Sequence, residues 1–272
     1  MTALTFSLKN PLQFSVNCAA ITPSNLQGKS ISEIASMVIT YGNQNVTVGD
    51  LFDISGEDAH HFCFKNTSDK LDYIGAKLSG GSITIEGNAG AYLGFAMTNG
   101  EVHCHGHAAD FAACNMAGGL LKIDGNVGHF LGGASAGLRK GMRGGTVLVK
   151  GNTGDRTGDQ MRRGLILIEG NVGDYCGSRM IAGTIGVLGN VGKYAAYNMQ
   201  RGTLLFTQVP QLHATLQNCG RHTLPFLNLL FKSFQQYNTK FSQLNSQRVQ
   251  RYVGDIACNG NGEILLVESL KS

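Results

Sequence analysis

Short runs of alternating hydrophobic and polar residues recur along the middle of the chain. Within each run, one residue separates two hydrophobic residues. Because successive side chains of a strand point to opposite sides, both hydrophobic residues lie on one face. The pattern therefore predicts seven strands, each with one buried face. The predicted core pairs are Ile83/Ile85, Val102/Cys104, Leu121/Ile123, Val147/Val149, Ile166/Ile168, Ile185/Val187 and Leu204/Phe206.

A column of glycines gives the spacing of these strands. Successive glycines of the column are 19 residues apart, except for one step of 26. A period of about 20 residues with one short strand per unit is typical of a solenoid, in which each unit buries its apolar face only against its neighbours. The additional residues of the long step fall within 131–142 and predict an inserted loop. The column comprises Gly81, Gly100, Gly119, Gly145, Gly164, Gly183 and Gly202.

Three further sets of residues recur with the same spacing as the glycines and form columns of their own. The first holds asparagine in a G-N-x-G turn, where Gly and Asn tolerate left-handed backbone. The second holds methionine, an ordinary core filler, and the third is aromatic, interrupted by Arg156. We predict an all-β fold: a right-handed parallel β-helix (single-stranded solenoid) of about seven 19-residue coils, the first degenerate at about 62–80. The columns are Asn88, His107, Asn126, Asn152, Asn171 and Asn190; Met97, Met116, Met142, Met161, Met180 and Met199; and Tyr73, Tyr92, Phe111, Phe130, Tyr175 and Tyr194.

These patterns divide the chain into three parts. Residues 1–61 hold strand-like runs such as LTFSL and NVTVGDLFDI and a short helical run, SISEIASMV, and we expect an N-terminal β cap on the first coil. Residues 62–207 form the predicted parallel β-helix. Residues 208–272 form a predicted helical strap, apolar at helical spacing, with the closing hairpin-like pair YVGDIACNGNGEILLVESL. The strap is expected to cover the other open end, because exposed strand edges need cover.

Composition excludes several classes of protein. The 38 glycines occur with only 4 prolines, which excludes collagen, and a net charge of +4 is well below that of a typical nucleic-acid binder. The N-terminus lacks a signal-peptide pattern, and no run approaches 18 apolar residues, so no membrane contact and a cytoplasmic location are expected. The seven cysteines lack C-x-x-C pairs and zinc or iron–sulfur spacing, and we expect reduced thiols.

The densest group of titratable residues is the string HCHGH. In the repeat register His103 and His105 face outward, whereas His107 takes a turn position that asparagine holds elsewhere, so the three imidazoles are not expected to converge. His105 lies between Glu86 and Asp124 of neighbouring coils, which suits a surface salt-bridge ladder better than a weak metal contact. No nucleophile–histidine–acid group stands out, and we predict neither a catalytic residue nor a metal site in this chain.

Basic residues gather at one corner of the predicted solenoid, within three residues of the later methionines. Arg143 and Arg162 occupy the same repeat position, and like charges about 5 Å apart repel by roughly 1 kcal/mol even in water. Asp159 is the single acid of this group. The arrangement favours an anionic ligand or an acidic partner, although a splayed, solvated basic face would give the same pattern. This basic corner comprises Arg139, Lys140, Arg143, Arg162, Arg163, Arg179 and Arg201.

Leucines occupy outward strand positions where polar residues are expected. Leu148, Leu167 and Leu205 share one column, and Leu188 lies next to it. Exposed apolar rows on a sheet usually have a covering element. Either the C-terminal strap or another protein is expected to pack there.

The string GNVGDYCGSRM, repeated as G-x-x-G-x-x-x-G-x-x-M before R-G or G-G, resembles two related β-helix families. One is the C-terminal domain of the large subunit of glutamate synthase, and the other is the C subunit of formylmethanofuran dehydrogenase. The second also resembles this chain at VGDLFDISG, at the interrupted coil ending in RKGMRGG, and at GDQMRRG. The tail RYVGDIACNGNGEILL, after LPFLNLLFKSF, is similar to the bacterial version, the C subunit of the formyltransferase/hydrolase complex of methylotrophs. The matches cover most of residues 46–268.

The resemblance implies a scaffold subunit in one-carbon metabolism. The family's complex moves a formyl group between tetrahydromethanopterin and a methanofuran-type carrier and releases it as formate. Its catalytic centres belong to a formyltransferase subunit and a metal-dependent, amidohydrolase-like subunit, and a further dehydrogenase-like subunit is expected in the same complex. The carrier has an anionic, glutamate-containing tail, which makes the basic corner a hypothetical contact for it. No cofactor is expected on this chain itself.

Two other functions remain open on the sequence. A stand-alone β-helix enzyme such as a carbohydrate lyase should show clustered acids or bases on consecutive outward positions and a secretion signal, and neither pattern is found. A β-helix domain cut from a glutamate synthase is expected to lack an initiator Met and the long C-terminal strap, whereas this sequence has both.

Overall fold

The computed structural model describes residues 2–267, which form mostly β-structure with a few short helices. The strands belong to one sheet of 13 strands and a second sheet of four. Within the described range, every helix is too short or too polar to span a membrane. The last residues of the predicted closing strands, from 268 onwards, lie outside the described range.

The N-terminal part combines short strands with three helices of about one turn. Two of these helices begin at a capping box, formed by Ser30 with Glu33 and by Thr47 with Asp50, which provides partners for backbone N–H groups of the first turn. The elements are β1 (Ala3–Leu8), β2 (Val16–Asn17), α1 (Pro23–Leu26), α2 (Ile31–Ala35), β3 (Val38–Tyr41), β4 (Gln44–Thr47), α3 (Val48–Leu51), β5 (Phe52–Ser55), β6 (Asp58–Lys65) and β7 (Leu71–Asp72). Strand β1 pairs in parallel with β6 and antiparallel with β5, so this part extends one edge of the large sheet.

Each of the seven repeats contributes one strand to the large sheet. All seven predicted core pairs are buried, with at most 2% of any of these residues exposed. The alternating pattern therefore identifies the core face correctly. The strands are β8 (Ser79–Ile85), β9 (Asn99–Cys104), β10 (Ala117–Ile123), β11 (Arg143–Val149), β12 (Arg163–Ile168), β13 (Thr184–Val187) and β14 (Thr203–Phe206).

Equivalent residues of successive repeats lie side by side. Leu121 pairs in parallel with Val102 of the preceding repeat and with Val147 of the following one. A second row of parallel contacts, made of isolated β-bridges, runs along the G-N-x-G turns. Each repeat contributes one bridged residue to it, from Ala89 to Val191. The long step between repeats leaves this register intact, because its additional residues form a loop outside both rows.

The glycine column packs against the methionine column of the preceding repeats. Gly145 has a φ of +86°, and a Cβ atom there would lie 2.7 Å from Cε of Met116 in the preceding repeat. The same methyl-against-glycine contact recurs at Gly164, Gly183 and Gly202. All six methionines of the column are fully buried. Any larger residue in the glycine column would therefore push the underlying methionine out of the core.

The aromatic column stacks along the repeats in an uncommon backbone conformation. Tyr73, Tyr92, Phe111 and Phe130 have φ near +60° and stack with ring centroids 4.7 to 4.9 Å apart. Arg156 has the same φ and does not break the column. Its guanidinium lies 5.9 Å from the Phe130 ring and 4.7 Å from the Tyr175 ring. Cation–π contact therefore continues the stack where the sequence shows an interruption.

The C-terminal part is less helical than the sequence predicts. Its elements are β15 (Gln217–Thr223), α4 (Phe226–Phe234), a 3₁₀ turn (Lys240–Gln243), β16 (Arg248–Gly254), a second 3₁₀ turn (Ile256–Cys258) and β17 (Gly262–Val267). Strand β17 pairs in parallel with β14, and β16 and β15 follow antiparallel. The large sheet thus has the order β15-β16-β17-β14-β13-β12-β11-β10-β9-β8-β6-β1-β5, and the small one β4-β3-β2-β7.

The prediction of a helical strap over the open end is therefore wrong in two respects: a strand covers that end, and the helix is short and lies elsewhere. The edge of β14 carries unpaired N–H and C=O groups that another strand can satisfy and a helix cannot, and β17 occupies it. The apolar residues at helical spacing form only the nine-residue α4, which packs against the outward face of the sheet. The predicted hairpin-like pair is confirmed for its described residues as β16 and β17.

Candidate functional site

The inserted loop and the following repeats enclose a groove of about 770 Å³ at the basic corner. One wall is the loop from Ala134 to Arg139. The other wall consists of polar and basic residues that follow the same corner through three successive repeats. Asn115, which is buried, fixes the loop by donating from Nδ2 to Ser135 Oγ at 2.8 Å. The polar and basic residues of the groove are Ser135, Arg139, Asp159, Gln160, Arg162, Arg179, Asn198 and Gln200.

Arg179 is held in the groove by a buried carboxylate. Asp159 is 1% exposed and accepts hydrogen bonds from Ser178 Oγ at 2.6 Å and from Arg179 Nε at 2.9 Å. Arg179 Nη2 donates to the second carboxylate oxygen. These bonds raise the pKa of the Arg179 guanidinium above its usual value, while the side chain stays 44% exposed. One face of a permanently charged group is therefore fixed and the other remains open to a ligand.

Arg162 connects the two walls of the groove. Its Nη2 donates to the backbone carbonyl of Arg139 at 3.2 Å, so it holds the end of the loop. Its Nε is buried without a hydrogen-bond partner. A buried guanidinium N–H without an acceptor is costly, and an anion in the groove would supply one.

The other members of the basic corner lie around this groove. Arg139, Lys140 and Arg143 line an adjoining cavity of about 360 Å³ on the far side of the loop. Arg163 and Arg201 are exposed and line neither cavity. Among residues 2–267, only Arg179 of the seven has a carboxylate within 4.0 Å, so the other six charges are uncompensated by this chain.

Arg143 and Arg162 occupy equivalent positions in their repeats, as the 19-residue step predicts. The backbone N–H of Arg143 donates to the carbonyl of Met116 at 2.6 Å, and that of Arg162 donates to the carbonyl of Met142 at 2.8 Å, which is the preceding methionine of the column in each case. The strand pairing shifts by one residue between Arg143 and Thr146, so Arg143 is paired across the sheet with Arg163.

The outward leucines are covered by the C-terminal part of the chain. Leu148, Leu167 and Leu205 are buried in a cluster with Leu227, Phe231, Phe234 and Phe241, and Leu188 packs against its margin. The leucine column continues through Gly186, which nothing in the repeat pattern singles out. A Cβ atom at Gly186 would lie 2.7 Å from Phe241 Cε1. The ring of Phe241 thus fills the one gap in the leucine row.

Two of the three histidines of the HCHGH string meet at Asp124. His103 Nε2 and His105 Nδ1 lie 2.9 and 3.0 Å from the same oxygen, Asp124 Oδ2. Lys150 Nζ lies 2.7 Å from the other oxygen. Partial burial disfavours the charged form of Asp124 and would raise its pKa. Hydrogen bonds from Lys150 and the two histidines outweigh this effect and lower the pKa of Asp124 to about 2. The three ligand-type atoms lie within 4.8 Å of one another, close enough for a metal ion. The adjacent lysine ammonium opposes binding of a cation there.

His107 has a different role, in the asparagine ladder. Asn88 Oδ1 accepts from the backbone N–H of His107 at 2.9 Å, and His107 Nδ1 in turn accepts from that of Asn126 at 2.8 Å. The ladder continues with side-chain oxygens of Asn126, Asn152 and Asn171. A parallel ladder, unseen in the sequence, joins Asp110, His129, Asp155 and Asp174 in the same way.

The four buried cysteines are unsuited to act as nucleophiles. Desolvation by burial raises the pKa of the Cys104 thiol to about 11 and those of Cys114 and Cys176 to about 12. Burial also raises the pKa of Cys18 far above its usual value. All seven cysteines are free thiols. Since the thiolate is the reactive form, these buried thiols are inert at neutral pH.

Curated relatives match part of the chain. The C subunit of the formyltransferase/hydrolase complex Fhc from Methylorubrum extorquens is 37% identical over 89 residues, 33% of this chain and 34% of the relative. The C subunit of the tungsten-containing formylmethanofuran dehydrogenase 2 is 30% identical over 95 residues in Methanococcus maripaludis and 39% over 79 in Methanothermobacter marburgensis. The matched segment spans only about a third of these relatives' length. No protein-family model matches the chain.

One solved structure is similar over nearly the whole chain. It is the X-ray crystal structure of the formyltransferase/hydrolase complex (FhcABCD) from Methylorubrum extorquens in complex with methylofuran. One of its chains superposes with a TM-score of 0.90 and 36% identity, covering 97% of this chain and 99% of that chain. This match confirms the resemblance carried by the repeat, the insertion and the tail. The chain belongs to the C-subunit family of the formyltransferase/hydrolase and formylmethanofuran dehydrogenase complexes.

Proposed function

We propose that this chain is the non-catalytic scaffold subunit of a formyltransferase/hydrolase complex. In that complex a formyl group moves between tetrahydromethanopterin and a methanofuran-type carrier and is released as formate. The observation that carries the proposal is the whole-length superposition at 36% identity on a chain of the FhcABCD complex. The cytoplasmic location stays a prediction.

The scaffold role is supported by how the repeat residues are used. The glycine and methionine columns pack against each other, and the asparagine and aspartate ladders bond successive turns. We therefore propose that the repeats form a right-handed parallel β-helix of about seven coils, and that 1–61 and 208–272 flank it as separate caps. With parallel strands about 4.8 Å apart, seven coils give a rigid element roughly 35 Å long. Such an element can hold other subunits at fixed positions.

The non-catalytic role is supported by the titratable groups. Asp124 is neutralised by Lys150, Asp159 by Arg179, and the buried thiols have high pKa values. We propose that the chemistry belongs to a formyltransferase subunit and an amidohydrolase-like subunit, and that a further dehydrogenase-like subunit is also present in the complex. The carrier is then held by the complex and not by a catalytic centre of this chain.

Reconstitution with and without this chain tests both parts of the proposal. The partner subunits from the same cell are coexpressed alone, with this chain, and with its His103→Ala/His105→Ala variant, which removes the one cluster able to hold a metal among the described residues. We expect assembly and formate release only when the chain is present, and unchanged turnover with the variant. Full activity of the partners alone would refute the scaffold role. A large fall in turnover of an intact variant complex would place chemistry in this chain.

A stand-alone enzyme of the β-helix type is the second candidate. It predicts turnover by the purified chain without partners. The groove at the basic corner is the feature that favours it, because a volume of about 770 Å³ is large enough for a small-molecule substrate. Its lining lacks a free carboxylate or imidazole, since its one acid is bound to Arg179. The scaffold function therefore remains the better supported of the two.

A further inference from the structure

A separate cleft lies on the outward face of the large sheet, at the margin of the C-terminal segment. Its volume is about 410 Å³, which is within the usual range for small-molecule sites. Residues of β9, β10 and β11 form its floor, and residues 236–239, which follow α4, form its wall. The cleft shares no lining residue with the groove at the basic corner, so it is a different site.

The wall of this cleft is held in place from both ends. Tyr237 Oη lies 3.1 Å from Thr146 Oγ1 on β11, and the backbone N–H of Lys240 donates to Glu169 Oε1 at 2.8 Å. The cleft is therefore formed by the chain's own contacts. A site that is already formed lowers the entropic cost of binding a ligand.

One part of the cleft is apolar. Leu120 and Leu148 lie on its floor, and Tyr237 contributes an aromatic ring to its wall. Leu148 is buried by the C-terminal segment, whereas Leu120, at the open side, is only half-buried. These three side chains suit a flat apolar group, because such a group buries leucine surface and packs against an aromatic ring.

The rest of the cleft is rich in hydrogen-bond donors. The ammonium groups of Lys122 and Lys150 line it, each with one carboxylate oxygen at 2.7 Å, on Glu101 and Asp124 respectively. An ammonium group has three donors, so each can bind a further acceptor. Because a carboxylate already lies at each ammonium, a ligand with one negative charge suits the cleft better than one with two.

Thr239 provides independent evidence that the cleft lacks an acceptor. Its hydroxyl oxygen is buried and has no hydrogen-bond partner among residues 2–267, and the residue lines the cleft. A buried hydroxyl without a partner is costly to the fold. An acceptor atom of a ligand in the cleft would remove this cost.

We propose that this cleft binds a small amphipathic carboxylate, a molecule with a flat apolar body and a single carboxylate group. The body packs between the leucines of the floor and the ring of Tyr237, and the carboxylate accepts from the lysine ammonium groups and the Thr239 hydroxyl. The inference goes beyond the proposed function, which assigns no ligand to this face, and does not depend on it. Because the ligand contacts both the repeats and residues 236–239, its binding stabilises the docked C-terminal segment.

Binding of 2-naphthylacetate to the purified full-length chain tests the proposal. This probe has two fused aromatic rings and one carboxylate, and its fluorescence can be followed because the chain contains no tryptophan. We expect saturable binding, with affinity at least about fivefold higher than for 2-naphthaleneethanol, which has the same body without the charge. Equal affinity for the two probes would overturn the assignment of a carboxylate ligand. Absence of binding would overturn the site itself.

Removal of one lysine from the cleft locates the bound probe. Lys122→Met should weaken 2-naphthylacetate binding by about tenfold, because it removes a charge-assisted hydrogen bond. Lys65→Met is the matched control, since Lys65 pairs with Glu86 on the same face of the sheet but outside the cleft, and should change affinity by less than about twofold. Both ion pairs are substantially exposed, so both variants should fold. Equal effects of the two variants would show binding of an adventitious additive only.

The role of the Thr239 hydroxyl has its own test. Thr239→Val keeps the shape of the side chain and should weaken 2-naphthylacetate binding by about threefold or more, while the free chain remains as stable as the wild type or becomes more stable. Thr223→Val, on the exposed β15, is the control and should leave binding unchanged. A less stable Thr239→Val chain with unchanged affinity would show that the hydroxyl serves the fold and not a ligand.

Limited proteolysis tests whether the probe binds between the segment and the sheet. At about ten times its dissociation constant, 2-naphthylacetate should slow cleavage within 208–247 by up to about tenfold, because it binds only the docked form. The same concentration should have little effect on Lys122→Met. Cleavage of the wild type at an unchanged rate, under saturating probe, would place the probe elsewhere and overturn the inference.

Discussion

Phe234 is the side chain that holds the C-terminal segment on the outward face of the sheet. It is fully buried, with its ring centroid 6.1 Å from that of Phe231 and 5.9 Å from that of Phe241. Burial of a phenylalanine contributes about 2–3 kcal/mol by transfer from water. The cavity left by Phe234→Ala adds to this loss, so the free energy of docking should fall by about 3–5 kcal/mol.

The effect should be seen first as local undocking. Phe226→Ala, on the same helix but 45% exposed, is the matched control and should cost less than about 1 kcal/mol. In limited proteolysis, Phe234→Ala should be cut within 208–247 much faster than the wild type, while the repeats remain protected. Thermal unfolding should shift by roughly 6–20 °C if the segment and the repeats unfold together. Similar proteolysis rates for the two variants would show that the aromatic cluster does not hold the segment.

Four further predictions concern other contacts. Gly186→Ala should destabilise the same docking by about 1–3 kcal/mol in urea unfolding, because its Cβ would meet the Phe241 ring, and a neutral effect would contradict that contact. Asp124 has a pKa of about 2, below its unfolded value, so its stabilisation is present above about pH 4 and is lost as pH falls towards 2. Asp124→Asn should therefore lower the free energy of unfolding by roughly 1–2 kcal/mol at about pH 6, after allowance for solvent screening, and should have no effect near pH 2. A difference in stability from the wild type that persists at about pH 2 would refute this assignment. Arg179→Gln should cost about 2–4 kcal/mol by leaving Asp159 buried without its partner, and the double variant with Asp159→Asn should recover part of the loss in a double-mutant cycle. Asn152→Ala removes one side-chain acceptor from the asparagine ladder and should lower the free energy of unfolding in urea by about 1 kcal/mol. Asn152→His should cost less, because the imidazole of His107 already acts as such an acceptor in another repeat. Equal costs for the two variants would contradict the acceptor role.

Much of the repeat region is predictable because its constraints are local and recur every 19 residues. The alternation of Ile83 and Ile85 with polar residues, repeated in phase, identifies the core, and the register follows from the glycine column. The inserted loop is predictable for the same reason, since it is the one departure from the period. Here the periodicity itself carries the three-dimensional information.

Contacts between distant parts of the chain are not predictable in this way. Nothing near Arg179 in the sequence shows that Asp159 of the previous repeat is buried beneath it. Likewise, Gly186 is a gap in the leucine row only because Phe241, 55 residues later in the chain, fills it. The helical spacing of 208–252 is misleading because parts of this segment form β15 and β16, whose pairing with each other and with β17 outweighs helix propensity. Arg156 continues the aromatic column through cation–π contacts, which a search for aromatic residues alone overlooks.

An affinity tag on this chain allows it to be purified from its native cell together with any bound partners. This purification shows whether the chain works within a larger assembly. The eluate is fractionated by size, and its components are identified by mass spectrometry. We expect one large species in which the chain is joined in fixed ratio by a formyltransferase subunit and an amidohydrolase-like subunit. Recovery of the chain as a free monomer, from cells in which those partners are abundant, would show that it does not act as their scaffold.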